Sequence, residues 1–345
     1  MPSLVVNSEG IELFYYDTGV PAVSEPGKPY KTLFVVHGMG YNGLIYKKVQ
    51  ALGLASGMRI VAINRRGYSG STPLSPAELA VSATGGTEDA KEAFITARGL
   101  EMANFIDRFV QQQNIPPITE DGKGGGVGLL GWSSAVPVVL SAVANLDKLP
   151  TDVQERLARY LRALILEEPP SMAVGQPPAE GSWSVYVDPT IPEKDKNQLH
   201  TLWVSAYFTH GDLAARDPAL LSHCAPSLHR RPSIFGFSAD DKAQIVEATF
   251  MEGPLLYHAL PQQRNVYRKA CFDRAVRARL PRMKVWAMVG DSTGSFAIGA
   301  WWSMQDDDKD NGGGLIQFKV TPGANHMIQW DDPDKAVANY LEAMA

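Results

Sequence analysis

A serine lies where a buried strand is predicted to turn into a helix. The pentapeptide GWSSA at residues 131–135 follows the apolar run 127–130 and precedes a helical pattern. A nucleophilic serine needs its hydroxyl raised on a tight turn, with small residues two before and two after it, and Gly131 and Ala135 meet that requirement. The pattern therefore predicts that Ser133 is a nucleophile, although a serine-rich helix cap is the simpler alternative.

Two backbone amides are candidates for stabilising the negative charge that such a nucleophile generates. Ser134 opens the predicted helix, where its N–H group and the helix dipole face a developing anion. Upstream, the strand predicted at 32–36 runs into the sequence HGMG at residues 37–40. A glycine-rich turn there can direct the Met39 N–H into the same site. We therefore predict an oxyanion hole formed by Met39 and Ser134, with His37 holding the loop in place.

A general base for Ser133 is available near the end of the sequence. His326 lies in a loop between the last predicted strand and the terminal helix, and the serine precedes the histidine in chain order. The other histidines lack this context. A triad also needs a carboxylate that orients the imidazole. Glu168 and Asp291 both follow predicted strands, and the geometry of a parallel sheet excludes neither.

These residues require a parallel sheet to bring them together. Short β-branched runs alternate with helical patterns, which is typical of a sheet with helices on its faces. The predicted strands are 11–16, 32–36, 59–63, 127–130, 163–166, 284–289 and 316–320, and the predicted helices are 88–113, 135–146, 151–161 and 334–344.

The alternation stops between residues 171 and 280. Helical pieces are predicted there at 196–208 and 240–251. We interpret this segment as a lid over the carboxyl ends of the strands, where open α/β sheets bind their ligands. The core would then comprise residues 1–170 and 281–345.

Composition excludes several classes of protein. The 345 residues are 45% hydrophobic with a net charge of −5 and no basic block, which argues against nucleic acid as a partner. The two cysteines, Cys224 and Cys271, cannot form a disulfide framework, and the N-terminus lacks a signal-peptide pattern. The uncharged stretch 124–146 is interrupted by glycine, serine and proline, so it is not a membrane span. We expect a cytoplasmic protein without metal or other cofactor, and a homodimer remains open.

Aromatic side chains near these loops predict an apolar pocket for a small molecule. They fall on the elbow, in the predicted lid or in the loop expected after Asp291. The residues expected to line the pocket are Trp132, Trp203, Tyr207, Trp301 and Trp302.

Taken together, the motifs resemble the α/β-hydrolase fold family, in its lidded form. The resemblance extends from the His37-Gly38 turn through the sequence RRGYSGS at residues 65–71 and the Ser133 elbow to His326. It implies an α/β fold with a mostly parallel central sheet, flanking helices and a helical lid inserted before the penultimate strands. Because the elbow carries serine, the epoxide-hydrolase and dehalogenase branches, which use aspartate, are disfavoured.

The resemblance also bears on the triad acid. Most family members carry it in the spacing Gly-x-x-Asp after the strand here predicted at 284–289, but Thr293 occupies that position and Asp291 comes two residues early. A minority, including fungal lactonase-type members, take a glutamate from the end of the preceding core strand. Glu168 stands there, before two prolines. We favour Glu168, with Asp291 as the alternative.

Three functions fit these features. The first is a serine hydrolase that cleaves an ester or lactone of a mostly apolar small molecule through an acyl-enzyme. The second is a biosynthetic cyclase that uses the same triad to form a lactone from a hydroxy-acyl substrate, as the resemblance to fungal members of secondary metabolism allows. The third is a non-catalytic small-molecule receptor of the same fold.

Overall fold

The computed structural model describes residues 2–22, 29–84, 86–179, 181–247 and 253–345. Within them, a single sheet has the strand order β1-β2-β4-β3-β5-β6-β7-β8. β1 and β2 pair antiparallel, β2 joins β4 antiparallel, and all later pairs are parallel. The strands are β1 Ser3–Val5, β2 Glu12–Asp17, β3 Lys31–Val36, β4 Met58–Ile63, β5 Val127–Trp132, β6 Leu161–Glu167, β7 Lys284–Gly290 and β8 Ile316–Thr321.

Helices cover both faces of the sheet. The α-helices are α1 Lys47–Ala55, α2 Pro76–Thr84, α3 Glu88–Gln112, α4 Val136–Ala144, α5 Thr151–Tyr160, α6 Glu193–Val204, α7 Ala239–Ile245, α8 Gly253–His258, α9 Leu260–Phe272, α10 Arg274–Arg279, α11 Ser295–Asp310, α12 Ile328–Asp331 and α13 Pro333–Ala343. α3, α4 and α9 share one apolar cluster, whereas α1 and α13 belong to another.

Alternation along the central strands produces the two apolar clusters. In β3, Leu33 and Val35 pack on the α1 and α13 side, and Phe34 and Val36 pack on the α3 and α4 side. Successive side chains of a strand point to opposite faces, so a strand covered on both faces is apolar throughout. The structure thus confirms the predicted α/β-hydrolase fold with its mostly parallel sheet. Among the described residues, no helix is long and apolar enough to cross a membrane.

The segment between β6 and β7 differs in part from its prediction. Its first part is irregular apart from α6, α7 and short turns, and the predicted helix 240–251 is α7 up to Ile245, with its last residues outside those described. Tyr267 and Cys271 of α9 are buried in the cluster that contains α4. This packing places α9 in the same helix layer as α3 and α4, and the lid over residues 171–280 stays a prediction.

The region after β7 is also more regular than expected. Residues 295–310 form α11, where the sequence suggested a loop. The Asp308 carboxylate accepts the N–H groups of Gly314, Leu315 and Ile316, and it thereby orders the turn from α11 into β8. These local hydrogen bonds satisfy the Asp308 carboxylate.

A buried carboxylate links the end of β6 to the C-terminal helix. Glu167 is 2% exposed, and both of its oxygens accept the Tyr340 hydroxyl, at 2.8 and 3.0 Å. Burial raises the pKa of Glu167 to about 8, an effect that the neighbouring charge of Glu168 increases and the Tyr340 hydrogen bond opposes. Glu167 is therefore protonated at neutral pH and joins β6 to α13 as a neutral group.

This pKa predicts how stability depends on pH. Between an unfolded pKa of about 4.5 and the folded value of about 8, the native state binds more protons than the unfolded chain, so the free energy of unfolding falls as pH rises. Glu167→Gln removes this contribution. As pH rises through that window, the free energy of unfolding of the variant should increase relative to that of the unmodified protein. The relative increase should be at most about 1.4 kcal/mol per pH unit.

Urea denaturation at several pH values between 5 and 8 measures the effect. Glu155→Gln, at an exposed position of α5, is the matched control. Stability curves of Glu167→Gln and the unmodified protein that run parallel over this range would contradict the assignment.

Candidate active site

Ser133 stands on a strained turn between β5 and α4. Its φ is +57°, in the left-handed region that non-glycine residues seldom adopt. Gly131 has to lack a side chain, because a Cβ there would lie 2.5 Å from Val139 and 2.9 Å from the Ala135 carbonyl oxygen. A Cβ at Gly38 would lie 3.0 Å from the Ser133 Cβ. The small residues predicted from the sequence thus permit the strained conformation of the turn, and Ser133 lines a cavity.

The predicted oxyanion donors flank this turn. Ser134 lies in the 3-10 turn Ser133–Ala135, whose first amides have no acceptor within the turn. Met39 lies on the loop after β3, and both residues line the same cavity as Ser133. Among the described residues, neither the Met39 nor the Ser134 N–H donates a hydrogen bond. Their role as oxyanion donors stays a prediction.

His37 fixes the loop that carries Met39. Its Nδ1 donates to the Gly38 carbonyl oxygen at 2.9 Å, and its Nε2 accepts the Arg65 amide at 3.1 Å. Burial, together with the Arg65 charge, holds the pKa of His37 well below its usual value. A neutral ring with both nitrogens engaged has no proton to transfer to a substrate, in line with the expected structural role.

Glu168 and His326 meet at the carboxyl edge of the sheet. The His326 Nδ1 donates to the Glu168 Oε2 at 3.1 Å, and each side chain is 1% exposed. Glu168 has a φ of +53°, so the chain turns sharply where β6 ends. The loop that carries His326 is also bonded to the residue before Ser133, because the Trp132 Nε1 donates to the His326 carbonyl oxygen at 2.9 Å.

Two further donors fix the Glu168 carboxylate. The Gly290 N–H donates to its Oε1 at 2.5 Å, and the Thr293 hydroxyl donates to its Oε2. Thr293 is fully buried. The threonine that occupies the position of the more common aspartate thus binds the glutamate carboxylate.

Asp291 makes different contacts. Its Oδ1 accepts the Gly323 N–H at 2.7 Å and the Ser292 hydroxyl at 3.2 Å. The carboxylate therefore joins the loop after β7 to the loop after β8, whereas the imidazole of His326 is bonded to Glu168. The two alternatives from the sequence thus occupy distinct positions at one sheet edge.

Ser133 and His326 open into one cavity, which we call the main cavity. Its floor is the elbow and the Met39 loop, and its roof comes from the segment between β6 and β7, including residues of α6 and α8. Polar groups in the roof include Ser184, whose hydroxyl lies 3.3 Å from that of Tyr257. His200 also lines the roof, and burial together with the nearby His326 lowers its pKa to about 3. The cavity is mostly apolar with a few polar groups.

The expected aromatic lining is only partly found. Trp132 and Trp203 line the main cavity. Tyr207 lies outside it, because its hydroxyl donates to Asp331 at 2.6 Å. Trp302 packs with Leu221, Val289 and Ile298 in a separate apolar cluster, and Trp301 packs against Phe318.

The position of α11 explains the error for Trp301 and Trp302. The sequence suggested a loop there, from which both rings could reach the site. In the helix, Ser295 and Phe296 at the first turn line the main cavity, and the Phe296 ring lies 5.1 Å from the His326 ring. The two tryptophans lie more than one helical turn farther along.

Several cavity residues were missed by reasoning from the sequence. These are residues of the roof, the first turn of α11 and the loop after β3, namely Tyr41, Trp183, Tyr186, His200, Tyr257 and Phe296. Only the proximity of Tyr41 to Met39 in the chain offered a signal for any of them. Within the described residues, no group of three His, Cys, Asp or Glu side chains is placed to hold a metal ion.

The arrangement brings together the parts needed for nucleophilic attack. A buried carboxylate holds Nδ1 of the imidazole, which leaves Nε2 as the basic nitrogen. A serine on a strained elbow lines the same cavity as Met39 and Ser134, the residues whose amides are the predicted oxyanion donors. Such a set can transfer a proton and stabilise a tetrahedral oxyanion.

Comparisons with known proteins agree with the fold. The bromoperoxidase from Bacillus anthracis is 12% identical, with 99% of each chain covered and a TM-score of 0.52. Epoxide hydrolase A from Mycobacterium thermoresistibile is 14% identical, with 99% of this chain and 97% of the other covered and a TM-score of 0.50. At such identities the likeness concerns the fold alone. No curated protein matches the sequence.

A family model described as the alpha/beta hydrolase family matches residues 33–340. This range includes Ser133, Glu168 and His326, most of β3 and all of β4 to β8. The resemblance inferred from the motifs is confirmed for the family as a whole, and the likeness to fungal lactonase-type members stays a prediction. The chain belongs to the alpha/beta hydrolase family.

Proposed function

We propose that this protein is a serine hydrolase that cleaves an ester or lactone of a mostly apolar small molecule. The observation that carries the proposal is the buried Glu168–His326 pair, 3.1 Å apart, beside a serine elbow in one cavity. The structurally similar epoxide hydrolase and bromoperoxidase share the fold and do not decide the chemistry. Serine at the elbow supports acyl transfer.

The reaction follows from the positions of these groups. The His326 Nε2 takes the proton of the Ser133 hydroxyl while Oγ attacks the carbonyl carbon of the ester. The oxyanion accepts the Met39 and Ser134 N–H groups. His326 then gives its proton to the leaving alkoxide oxygen, and the acyl group stays on Ser133. Water, deprotonated by His326, attacks the acyl-enzyme, and the acid leaves as Ser133 regains its proton.

Glu168 stabilises the protonated imidazole during both steps. Its charge is 3.1 Å from Nδ1 and is shielded from solvent, so it favours imidazolium more than a surface carboxylate would. The Thr293 and Gly290 donors hold that carboxylate in one orientation. The Ser133 hydroxyl makes no hydrogen bond to another described residue, so substrate binding has to bring Oγ and Nε2 into contact.

Ser133→Ala tests the nucleophile. With 4-nitrophenyl acetate as substrate, kcat should fall by about 10³-fold or more, because only oxyanion binding and the base remain. Ser8→Ala, at an exposed serine in the turn between β1 and β2, should retain full activity. Near-normal turnover by Ser133→Ala would contradict the serine mechanism.

Mass analysis of the products formed from a lactone and from its hydroxy acid separates hydrolysis from cyclisation.

Glu168→Gln and Asp291→Asn form a matched pair that tests the acid. Glu168→Gln keeps the shape but removes the charge that stabilises the imidazolium, so kcat should fall by about 10³–10⁴-fold. Asp291→Asn should change kcat by less than about threefold, since its carboxylate contacts Gly323 and Ser292. The reverse ranking of these two variants would show that Asp291 is the acid.

Thr293 should act as a positioning residue. Thr293→Val removes the hydroxyl that holds the Glu168 Oε2 and keeps the side-chain volume, so kcat should fall about tenfold with little change in KM. Thr293→Ser restores the donor and should recover most of the rate, as steady-state kinetics will show. Equal losses in both variants would mean that packing, and not the hydrogen bond, explains the effect.

A further inference from the structure

Residues 207–227, in the segment between β6 and β7, form a loop that closes on itself. The Ser227 N–H donates to the Tyr207 carbonyl oxygen at 2.7 Å. The Gly211 N–H donates to the Leu220 carbonyl oxygen at 2.8 Å. We call this segment the 207–227 loop. Among the described residues, those that line the main cavity include none from this loop, so it lies outside the space that a substrate would occupy.

Hydrogen bonds join the 207–227 loop to the residues that follow β7. The Phe208 N–H donates to the Ser292 carbonyl oxygen at 2.9 Å. The His210 Nε2 donates to the Thr293 carbonyl oxygen at 2.8 Å. The loop therefore holds two consecutive carbonyl groups of the stretch whose threonine hydroxyl binds the triad acid.

The contacts of His210 define one tautomer of its ring. The Ser222 N–H donates to the His210 Nδ1 at 3.0 Å, so this nitrogen carries no proton. The Thr293 carbonyl oxygen can only accept a hydrogen bond, so the proton of the neutral ring lies on Nε2. Burial lowers the pKa of His210, which favours this neutral form. The ring therefore bridges Ser222 and Thr293 in one fixed orientation.

Thr293 connects His210 to the triad acid. Thr293 is fully buried, and its hydroxyl donates to the Glu168 Oε2. The same oxygen accepts the His326 Nδ1–H at 3.1 Å. Because the hydroxyl and the carbonyl group belong to one residue, a displacement of the Thr293 backbone moves the hydroxyl away from Glu168. A continuous set of hydrogen bonds thus runs from His210 to the imidazole of His326.

We propose that His210 is a positioning residue for the triad: by holding Thr293, it keeps Glu168 in the orientation that His326 requires. The inference rests on the proposed function and extends the site to a residue of the 207–227 loop. Because this loop lies outside the main cavity, the contribution of His210 falls on kcat and not on substrate binding.

Two substitutions of His210 separate its hydrogen bond to Thr293 from packing. Glutamine places an amide N–H near the position of Nε2, whereas asparagine places its amide oxygen near Nδ1 and does not reach Thr293. With 4-nitrophenyl acetate, His210→Asn should lower kcat about tenfold, the effect of one hydrogen bond, with little change in KM. His210→Gln should recover most of the rate. His229→Asn, at an exposed histidine shortly after the loop, should retain full activity.

A double-mutant cycle shows whether His210 acts through Thr293. Once Thr293→Val has removed the hydroxyl, His210→Asn should lower kcat by less than about a further twofold, because the contact with Glu168 is already lost. Losses that multiply in the double variant would overturn the proposal. So would a His210→Asn variant that is as active as the unmodified protein, or no more impaired than His210→Gln.

Nuclear magnetic resonance of protein with ¹⁵N-labelled histidine gives a readout that needs no turnover. The proton on the His326 Nδ1, bonded to Glu168, is identified by its absence from His326→Ala. In His210→Asn its resonance should move upfield and its exchange with water should become faster, whereas His210→Gln should resemble the unmodified protein. An unchanged resonance and exchange rate in His210→Asn would overturn the proposal.

The outcomes separate this proposal from the proposed function. Hydrolysis that depends on Ser133 but not on His210 would overturn the positioning role and leave the serine hydrolase intact. If the unmodified protein hydrolyses no ester, the proposed function fails, and the His326 resonance decides whether His210 orders the acid. Circular dichroism checks the fold. If His210→Asn does not fold, His210→Phe, which keeps a ring without either nitrogen, takes its place with the same expected results.

Discussion

A buried carboxylate at the end of β6 connects the three segments that make the site. Glu168 is almost inaccessible to solvent, and a charge in that position persists only where hydrogen bonds and an opposite partner compensate for the lost hydration. Its partners come from the end of β7, from the loop that follows it and from the loop after β8. The orientation of His326, and through it the proposed activation of Ser133, depends on these contacts.

The adjacent residues Glu167 and Glu168, at the end of β6, contact different parts of the structure. Glu167 is the last residue of β6 and stays in the ladder, paired with Met288 of β7, while its carboxyl group reaches Tyr340. Glu168 turns away in a left-handed conformation, at a cost on the order of 1 kcal/mol, and reaches His326. Because the pKa of Glu167 is raised to about 8, the pair holds one buried charge and not two near neutral pH.

The sequence predicted the sheet well because its strands are apolar on both faces and alternate with helices. The turn at Ser133 was equally predictable, since Gly131 and Ala135 reflect local steric limits. The acid remained ambiguous because the side chains of two loops at one edge cannot be ranked by spacing. Its hydrogen-bond partners lie more than a hundred residues away in the chain, and the hydroxyl of Thr293 became informative only through its contact.

The cavity lining was the least predictable part. A tryptophan in a predicted loop gives no direction for its ring, and α11 turned Trp301 and Trp302 away from the site that Phe296 enters. Of the polar roof residues, Ser184 lies in an irregular stretch where no periodicity assigns a face, and the helical pattern around His200 does not show which face meets the cavity. The shape of this segment arises from tertiary contacts, such as the hydrogen bonds of Asn325 to Ser205 and Ser233.

The most direct test of the central claim, that Glu168 and His326 activate Ser133, is the rate and site of labelling by a fluorophosphonate probe. The intact protein should gain one adduct, found by mass spectrometry on the peptide that contains Ser133. His326→Ala should abolish labelling, and Glu168→Gln should slow it by orders of magnitude. Absence of an adduct from the folded protein, an adduct on another residue, or labelling of Ser133 at an unchanged rate in these variants would contradict the claim.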